Sequence, residues 1–182
     1  MNYFDNAYRN RRVLVTGHTG FKGSWLSMWL EHLGAEVAGF SLDIPTSPSN
    51  FVLLGLENRL SHYLGDIRDI ERLAQVIDEF RPEIVFHLAA QPLVRQSYLD
   101  PLETYQTNVL GTFNLLEGLR LLQKPCTAVL ITSDKCYDNV DWIWGYRETD
   151  KLGGPDPYSA SKGATELVIS SHVKSFFPKD GA

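Results

Sequence analysis

Three consecutive side chains, Ser133, Asp134 and Lys135, set a hydroxyl, a carboxylate and an amine at the end of an apolar run, TAVLI. A second pair, Tyr158 and Lys162, stands in PYSASKGATE at the spacing Y-x-x-x-K. On a helix, residues i and i+4 share one face. An ammonium beside a phenol lowers the phenol's pKa. A phenol so favoured is a base that can take the proton of a hydroxyl as hydride leaves the same carbon. Chance matches to this spacing are common, so the pair draws its weight from the elements around it.

Hydrophobic patterning supplies those elements. RRVLVTG reads as a short buried strand centred on Val13, Leu14 and Val15. FKGSWLSMWLEHLG puts Trp25, Leu26, Trp29, Leu30 and Leu33 at helical spacing, and Gly34 suits its C-terminal cap. EVAGFSL is a second strand and SHYLGD, residues 61–66, a third. IERLAQVIDEF is an amphipathic helix that must end before Pro82. EIVFHLAA is a fourth strand. One long helix is expected over 101–122, with Leu110, Phe113, Leu116 and Leu119 among its apolar positions. TAVLITS is a fifth strand, and a last helix covers 157–177. PTSPSN, residues 45–50, is the most loop-like stretch.

Continuous apolar strands alternating with helices predict an α/β fold: a doubly wound, Rossmann-type parallel sheet, buried on both faces and joined by right-handed crossovers. Ligands in such folds bind at the carboxyl ends of the strands. Thr132 to Lys135 stand at such an end.

Between the first strand and the first helix lies TGHTGFKG, with Gly17, Gly20 and Gly23 at G-x-x-G-x-x-G. The strand before it and the helix after it are the context a dinucleotide fingerprint requires. Gly17 would allow the sharp turn, Gly20 the approach of backbone to a pyrophosphate, and Gly23 close packing of helix on strand. The helix N-terminus would face the phosphates with free N–H groups, so the whole loop, His18, Thr19, Phe21 and Lys22 included, is a cofactor-binding candidate. An acidic residue about 20 positions on would accept the ribose hydroxyls of NAD. The strand-end position is Ser41, and Asp43 two residues further on could serve instead or cap a turn. His18 and Lys22 could tolerate the extra phosphate of NADP, or simply lie exposed at the loop rim. NAD is favoured, with NADP left open. Asp66, with Ile67 beside it, could meet the adenine or form a common turn. Leu88, Ala89, Ala90 and Gln91 end the fourth strand, where small residues let a cofactor approach, and Ala89 and Ala90 could equally pack. Lys162 could hydrogen-bond the nicotinamide ribose, and Thr132 adds a hydroxyl after the fifth strand.

The chain's 182 residues suffice for one domain with a substantial core. Hydrophobic residues at 43% and charged residues at 21% are ordinary for a soluble globular protein. A net charge of -5 argues against a nucleic-acid partner, which would need a basic face. Cys126 and Cys136 form no metal-like pair and read as reduced thiols, so no metal is expected. The N-terminus lacks the apolar core of a signal peptide, and no run is long enough to span a membrane. A soluble, cytoplasmic protein is expected. His87 reads as a satisfied buried histidine. Asn108 has a structural or active-site water role or a hydrogen bond inside its helix, and Trp142 and Trp144 lie near the site or at an interface.

TGHTGFKG, HLAAQP, TNVLGT, TSDKCY and YSASK, in this order, resemble the extended short-chain dehydrogenase/reductase family over essentially the whole chain. GHTGFKGSWL and TSDKCYDN are similar to its branch of nucleotide-sugar 4,6-dehydratases acting on CDP-glucose; the dTDP-glucose and GDP-mannose branches differ at these loops. The resemblance implies that Tyr158 deprotonates the sugar C4 hydroxyl as hydride passes to NAD. The 4-ketone then acidifies C5, water leaves across C5 and C6, and the hydride returns to C6. It implies Asp134 as the acid for the leaving hydroxyl and Ser133 as a donor to the C4 oxygen. Lys135 departs from the dTDP-glucose branch, which has glutamate there. It would act as a base only if kept neutral, or as a cation beside the enolate.

The resemblance also implies a sixth strand and a smaller C-terminal substrate domain, both largely absent here. Residues 1–182 are expected to be the dinucleotide-binding domain of a longer enzyme, with KDGA leading to a further strand. A homo-oligomer, dimer or tetramer, would pair the helix at 101–122 and the last helix. Two rivals remain: an epimerase or reductase of the same family, and a dinucleotide-binding module without catalysis.

Overall fold

The computed structural model describes residues 3–177. The KDGA segment, with the strand expected to follow it, lies outside them. The described chain forms two compact units, residues 3–89 with 121–131 and residues 90–120 with 132–177.

The first unit holds five parallel strands, β1 (Arg12–Thr16), β2 (Glu36–Ser41), β3 (Ser61–Leu64), β4 (Ile84–His87) and β5 (Thr127–Leu130), in the order β3-β2-β1-β4-β5. The order runs one way from β1 through β2 to β3 and the other way through β4 to β5, the doubly wound pattern, and the reversal lies at β1. Val13, Leu14 and Val15 are fully buried, and Val13 and Val15 pack with Leu30 and Val37. The expected burial of every strand on both faces fails at the edges: all of β5 but Leu130 is exposed, Val129 included. An apolar run is covered only where a strand has neighbours, and β3 and β5 each have one among the described residues.

Helix α1 (Phe21–His32) buries Gly23, Ser24, Ser27 and Leu30, whereas Trp25 and Trp29 stay about half exposed. Small side chains let the helix lie close, and the indoles are left outside. Gly34 follows at φ +86, the left-handed position that glycine occupies after a helix. Ser49 caps the short α2 (Asn50–Leu53), which ends the PTSPSN loop. Asp69 caps α3 (Ile70–Phe80), which buries Leu73, Val76, Ile77 and Phe80 and stops ahead of Pro82.

The second unit carries α4 (Val94–Leu99), α5 (Pro101–Tyr105), a π-helical segment (Gln106–Leu110), nearly all of α6 (Gly111–Leu121) and α7 (Pro157–Phe176). The single helix expected over 101–122 is thus interrupted by a π segment, a local widening frequent at functional sites. Leu115, Leu116 and Leu119 are buried, but Leu110 and Phe113 are exposed.

Candidate active site

The glycine loop lies in the first unit, at the carboxyl end of β1. Gly17 has φ +75, and a Cβ there would meet Ala89 N at 2.8 Å, so only glycine lets the turn close against the end of β4. A Cβ on Gly23 would fall 2.1 Å from Gly17 O, so Gly23 packs α1 onto the loop itself rather than onto a strand. No side chain caps the first N–H groups of α1, which starts after Gly20. A helix N-terminus left open behind a glycine turn fits a phosphate group. Thr16 Oγ1 is hydrogen-bonded to His87 Nδ1 at 2.6 Å and accepts the Ala89 N–H at 3.2 Å. His87 is therefore the satisfied buried histidine expected, and it fixes the β4 end against β1.

His18 is neither at the loop rim nor free to meet a phosphate. Its side chain is 0% exposed. Its Nδ1 is hydrogen-bonded to Ser41 Oγ at 2.8 Å and its Nε2 to His62 Nδ1 at 2.7 Å, with Phe51 edge-on to the ring. Burial, reinforced by His62, pushes its pKa down to about 3, so the ring is neutral. Ser41 is correspondingly turned inward, and its hydroxyl also accepts the Thr19 N–H at 3.3 Å. Of the two groups considered for the ribose, Asp43 is the one whose side chain is exposed, and its carbonyl accepts Thr19 Oγ1–H at 2.6 Å. Phe21 and Lys22 are exposed. Asp66 is gripped by Arg68 through Nε and Nη2, which holds its carboxyl below the usual range, and Ile67 is buried beside it. Leu88 packs on the β1 core and Ala89 is half-buried.

Gly39, on β2, was not read as functional, yet it makes the room for His18: a Cβ there would lie 2.1 Å from the ring. An isolated glycine inside a strand is the signal that could have found it. Gly39→Ala is expected to destabilise the chain by about 2 kcal/mol through overpacking. Urea unfolding checks this, and an unchanged midpoint would contradict it.

The candidate acid/base residues lie in the second unit. Ser133 caps a 3-10 turn at Asp134–Cys136, accepts the Lys135 N–H at 3.1 Å and donates to Asp134 Oδ1 at 3.0 Å. Asp134 and Lys135 are exposed, and Cys136 is buried. The turn packs on α7, where a Cβ at Gly163 would stand 3.1 Å from Cys136 O. Asp156 caps α7 through the Ser159 N–H at 2.9 Å. That places half-buried Tyr158 in the first turn and Lys162 one turn on, 5% exposed. Burial lowers Lys162 to about 8, against the raising charge of Glu166. Among the described residues no hydrogen bond joins Tyr158 Oη to Lys162. Thr132 donates to Glu166, a residue sequence reading passed over.

Asn108, in the π segment, is 1% exposed. It accepts the Gln91 N–H at 2.8 Å and donates to Gln91 O at 3.1 Å and Ser161 Oγ at 2.9 Å, so its role is structural. It ties the residues after β4, half-buried Ala90 among them, to α7. Trp142 and Trp144 are exposed, with Trp142 against Tyr146 at 5.5 Å. Both cysteines are free, and burial pushes the Cys126 thiol up to about 11. No group of metal-ligating side chains occurs among the described residues. No described helix is long and apolar enough to cross a membrane.

A parallel sheet with its switch point at β1 and a glycine turn there define a Rossmann-type α/β protein. The chain belongs to the family described as GDP-mannose 4,6 dehydratase, whose model matches residues 14–176. It is 58% identical over 172 residues to a CDP-glucose 4,6-dehydratase of Salmonella typhimurium strain LT2, covering 94% of this chain and 48% of that protein. A dTDP-glucose 4,6-dehydratase from Streptomyces venezuelae, solved with NAD bound, superposes with TM-score 0.79 at 28% identity, covering 91% of this chain and 52% of that one. The UDP-glucose 4-epimerase of Thermus thermophilus in complex with NAD gives TM-score 0.77 at 33% identity, with 91% and 51% covered. The chain spans about half the length of the curated relatives it matches.

Proposed function

We propose that this chain is the dinucleotide-binding domain of a nucleotide-sugar 4,6-dehydratase that converts CDP-D-glucose to CDP-4-keto-6-deoxy-D-glucose. The observation that carries the reading is the Ser133–Asp134–Lys135 turn packed on the helix that bears Tyr158 and Lys162. Oxidation at C4 needs the tyrosine and lysine alone, whereas expelling water needs a further acid. The CDP-glucose dehydratase at 58% identity supports the choice of nucleotide. The product would feed deoxysugars into surface polysaccharide, in a cytoplasmic homo-oligomer.

In this reading the Gly17–Gly23 loop, with Thr19 and the α1 N-terminus, holds the pyrophosphate, Asp43 accepts ribose hydroxyls, and Lys162 holds the nicotinamide ribose. Asp66, Ile67, Leu88, Ala89, Ala90 and Thr132 are the remaining cofactor-binding candidates. The neutral, enclosed His18 offers no charge to a further phosphate, which favours NAD over NADP. Bound there, NAD supplies the hydride acceptor for C4 and the donor for C6. Tyr158 takes the C4 hydroxyl proton, with Ser133 donating to the C4 oxygen. Asp134 protonates the departing C6 hydroxyl. Lys135, exposed on the same turn, takes the C5 proton as its free amine or, where that proton passes to water, stabilises the enolate as a cation.

Lys135→Met is therefore expected to slow water loss by about tenfold to a hundredfold, read by product formation at the relatives' full length. Undiminished elimination would remove Lys135 from the chemistry. The reading itself is tested by offering CDP-glucose, UDP-glucose, dTDP-glucose and GDP-mannose with NAD. Mass spectrometry should find a product one water lighter from CDP-glucose; the same loss from another sugar instead would overturn the nucleotide assignment.

A further inference from the structure

Helix α7 places a third polar side chain in line with Tyr158 and Lys162. Glu166 follows Lys162 by four residues, as Lys162 follows Tyr158, so the three share one helix face. The Glu166 carboxylate accepts the hydroxyl of Thr132, the residue that leads directly into Ser133, Asp134 and Lys135. Beside it, buried Thr165 reaches the carbonyls of Asn108 at 3.0 Å and Ser161 at 2.8 Å, which fixes the rotation of α7 behind that face.

We propose that Glu166 is a positioning residue: it ties Thr132, at the head of the acid/base turn, to the helix that carries Tyr158 and Lys162, and sets a negative charge beside the buried lysine. The proposal rests on the dehydratase reading for its catalytic consequence. Glu166 is half-buried and also pushes the Cys136 thiol up, second to burial, so its charge is felt on both sides of the turn. Other titratable groups stand on the segments packed against α7: Arg95 and Tyr98 on α4, Glu103 and Tyr105 on α5, Asp134, Lys135 and Cys136 on the turn, and on α6 Glu117, which meets His172, and Arg120, which lies over Phe176. The π segment has none. The charge that acts on Lys162 is that of Glu166, and it opposes the lowering that burial imposes. A lysine left there without it would lose its proton at lower pH and be only partly charged under neutral conditions.

Three variants separate the two parts of the role in the full-length protein. Glu166→Gln keeps an acceptor for Thr132 and removes the charge. Thr132→Val keeps the charge and removes the bond, and Thr132→Ser restores the hydroxyl. The first readout is the pH midpoint for acetylation of Lys162, followed by peptide mass spectrometry on unliganded protein. The second is the pH profile of kcat. Glu166→Gln should lower the Lys162 midpoint by about one pH unit and move the alkaline limb of kcat the same way. Thr132→Val should leave the midpoint in place, cut kcat about tenfold with little change in KM, and be rescued by serine. An unmoved midpoint in Glu166→Gln, or a Thr132→Val enzyme with normal kcat, overturns the proposal. Because the labelling uses no substrate, a shifted midpoint in a protein that does not turn over CDP-glucose would sustain the Glu166–Lys162 coupling and overturn the substrate reading alone.

Discussion

Replacing Lys162 with methionine is expected to make the chain more stable at neutral pH and to remove turnover from the full-length enzyme. The two effects have one cause. Lys162 is buried, and its pKa falls to about 8 from an ordinary 10.5. At pH 7 the folded state therefore carries the cost of a charged amine held out of water. Two and a half pH units correspond to roughly 3 kcal/mol, an upper figure for what methionine recovers. The sign with pH is fixed by which state binds more protons. Below about pH 8 the amine is protonated folded and unfolded, and the cost is full. Between about 8 and 10.5 the unfolded chain binds more protons, so the native protein gains stability as pH rises and the advantage of the variant fades. Urea unfolding at pH 7 and pH 10 reads this directly. A variant less stable than the native chain at pH 7 would contradict it. Loss of the cation beside Tyr158 should lower kcat by on the order of a thousandfold. A buried charge kept at such a cost is a sign of function.

Acid is expected to unfold the chain through His18. The ring is enclosed by Ser41, His62, Phe51 and the Gly39 backbone, and its pKa lies near 3 rather than 6.5. Its neighbour His62 is also lowered by burial, against the raising charge of Glu57. Unfolded, His18 takes up a proton as pH falls below 6.5; folded, it resists until about 3. The stability of the neutral pair is thus complete above pH 6.5 and is lost progressively down to 3, by on the order of 4 kcal/mol. His18→Gln removes the titration, so its unfolding midpoint should change less between pH 7 and 4 than that of the native chain. Parallel pH dependences would place the acid-sensitive group elsewhere.

Local chemistry made several features legible. Val13, Leu14 and Val15 read as a buried strand, the three glycines as a tight turn between strand and helix, Gly34 as a helix stop and Pro82 as another, because each depends on a few adjacent residues. The chain's 58% identity to a CDP-glucose 4,6-dehydratase agrees with the resemblance read from GHTGFKGSWL and TSDKCYDN. The misses share a different origin. His18 looked exposed because the groups that enclose it, Gly39 and His62, stand 21 and 44 residues away. Trp25 and Trp29 looked like a core stripe, but α1 turns its glycine and serines inward. Six-residue α4 shows too little of a period to read, and the π segment keeps the composition of the helix it interrupts. Glu166 was passed over although it continues the four-residue spacing of Tyr158 and Lys162, because its partner Thr132 lies 34 residues back.

The central claim is that hydride leaves C4 and returns to C6 of one sugar while water departs between. CDP-glucose deuterated at C4, incubated with NAD and the full-length protein, tests it by mass spectrometry and NMR. The account predicts a product one water lighter with the deuterium at C6. A sugar inverted at C4 that has kept its deuterium there and lost no water would contradict it and identify an epimerase instead.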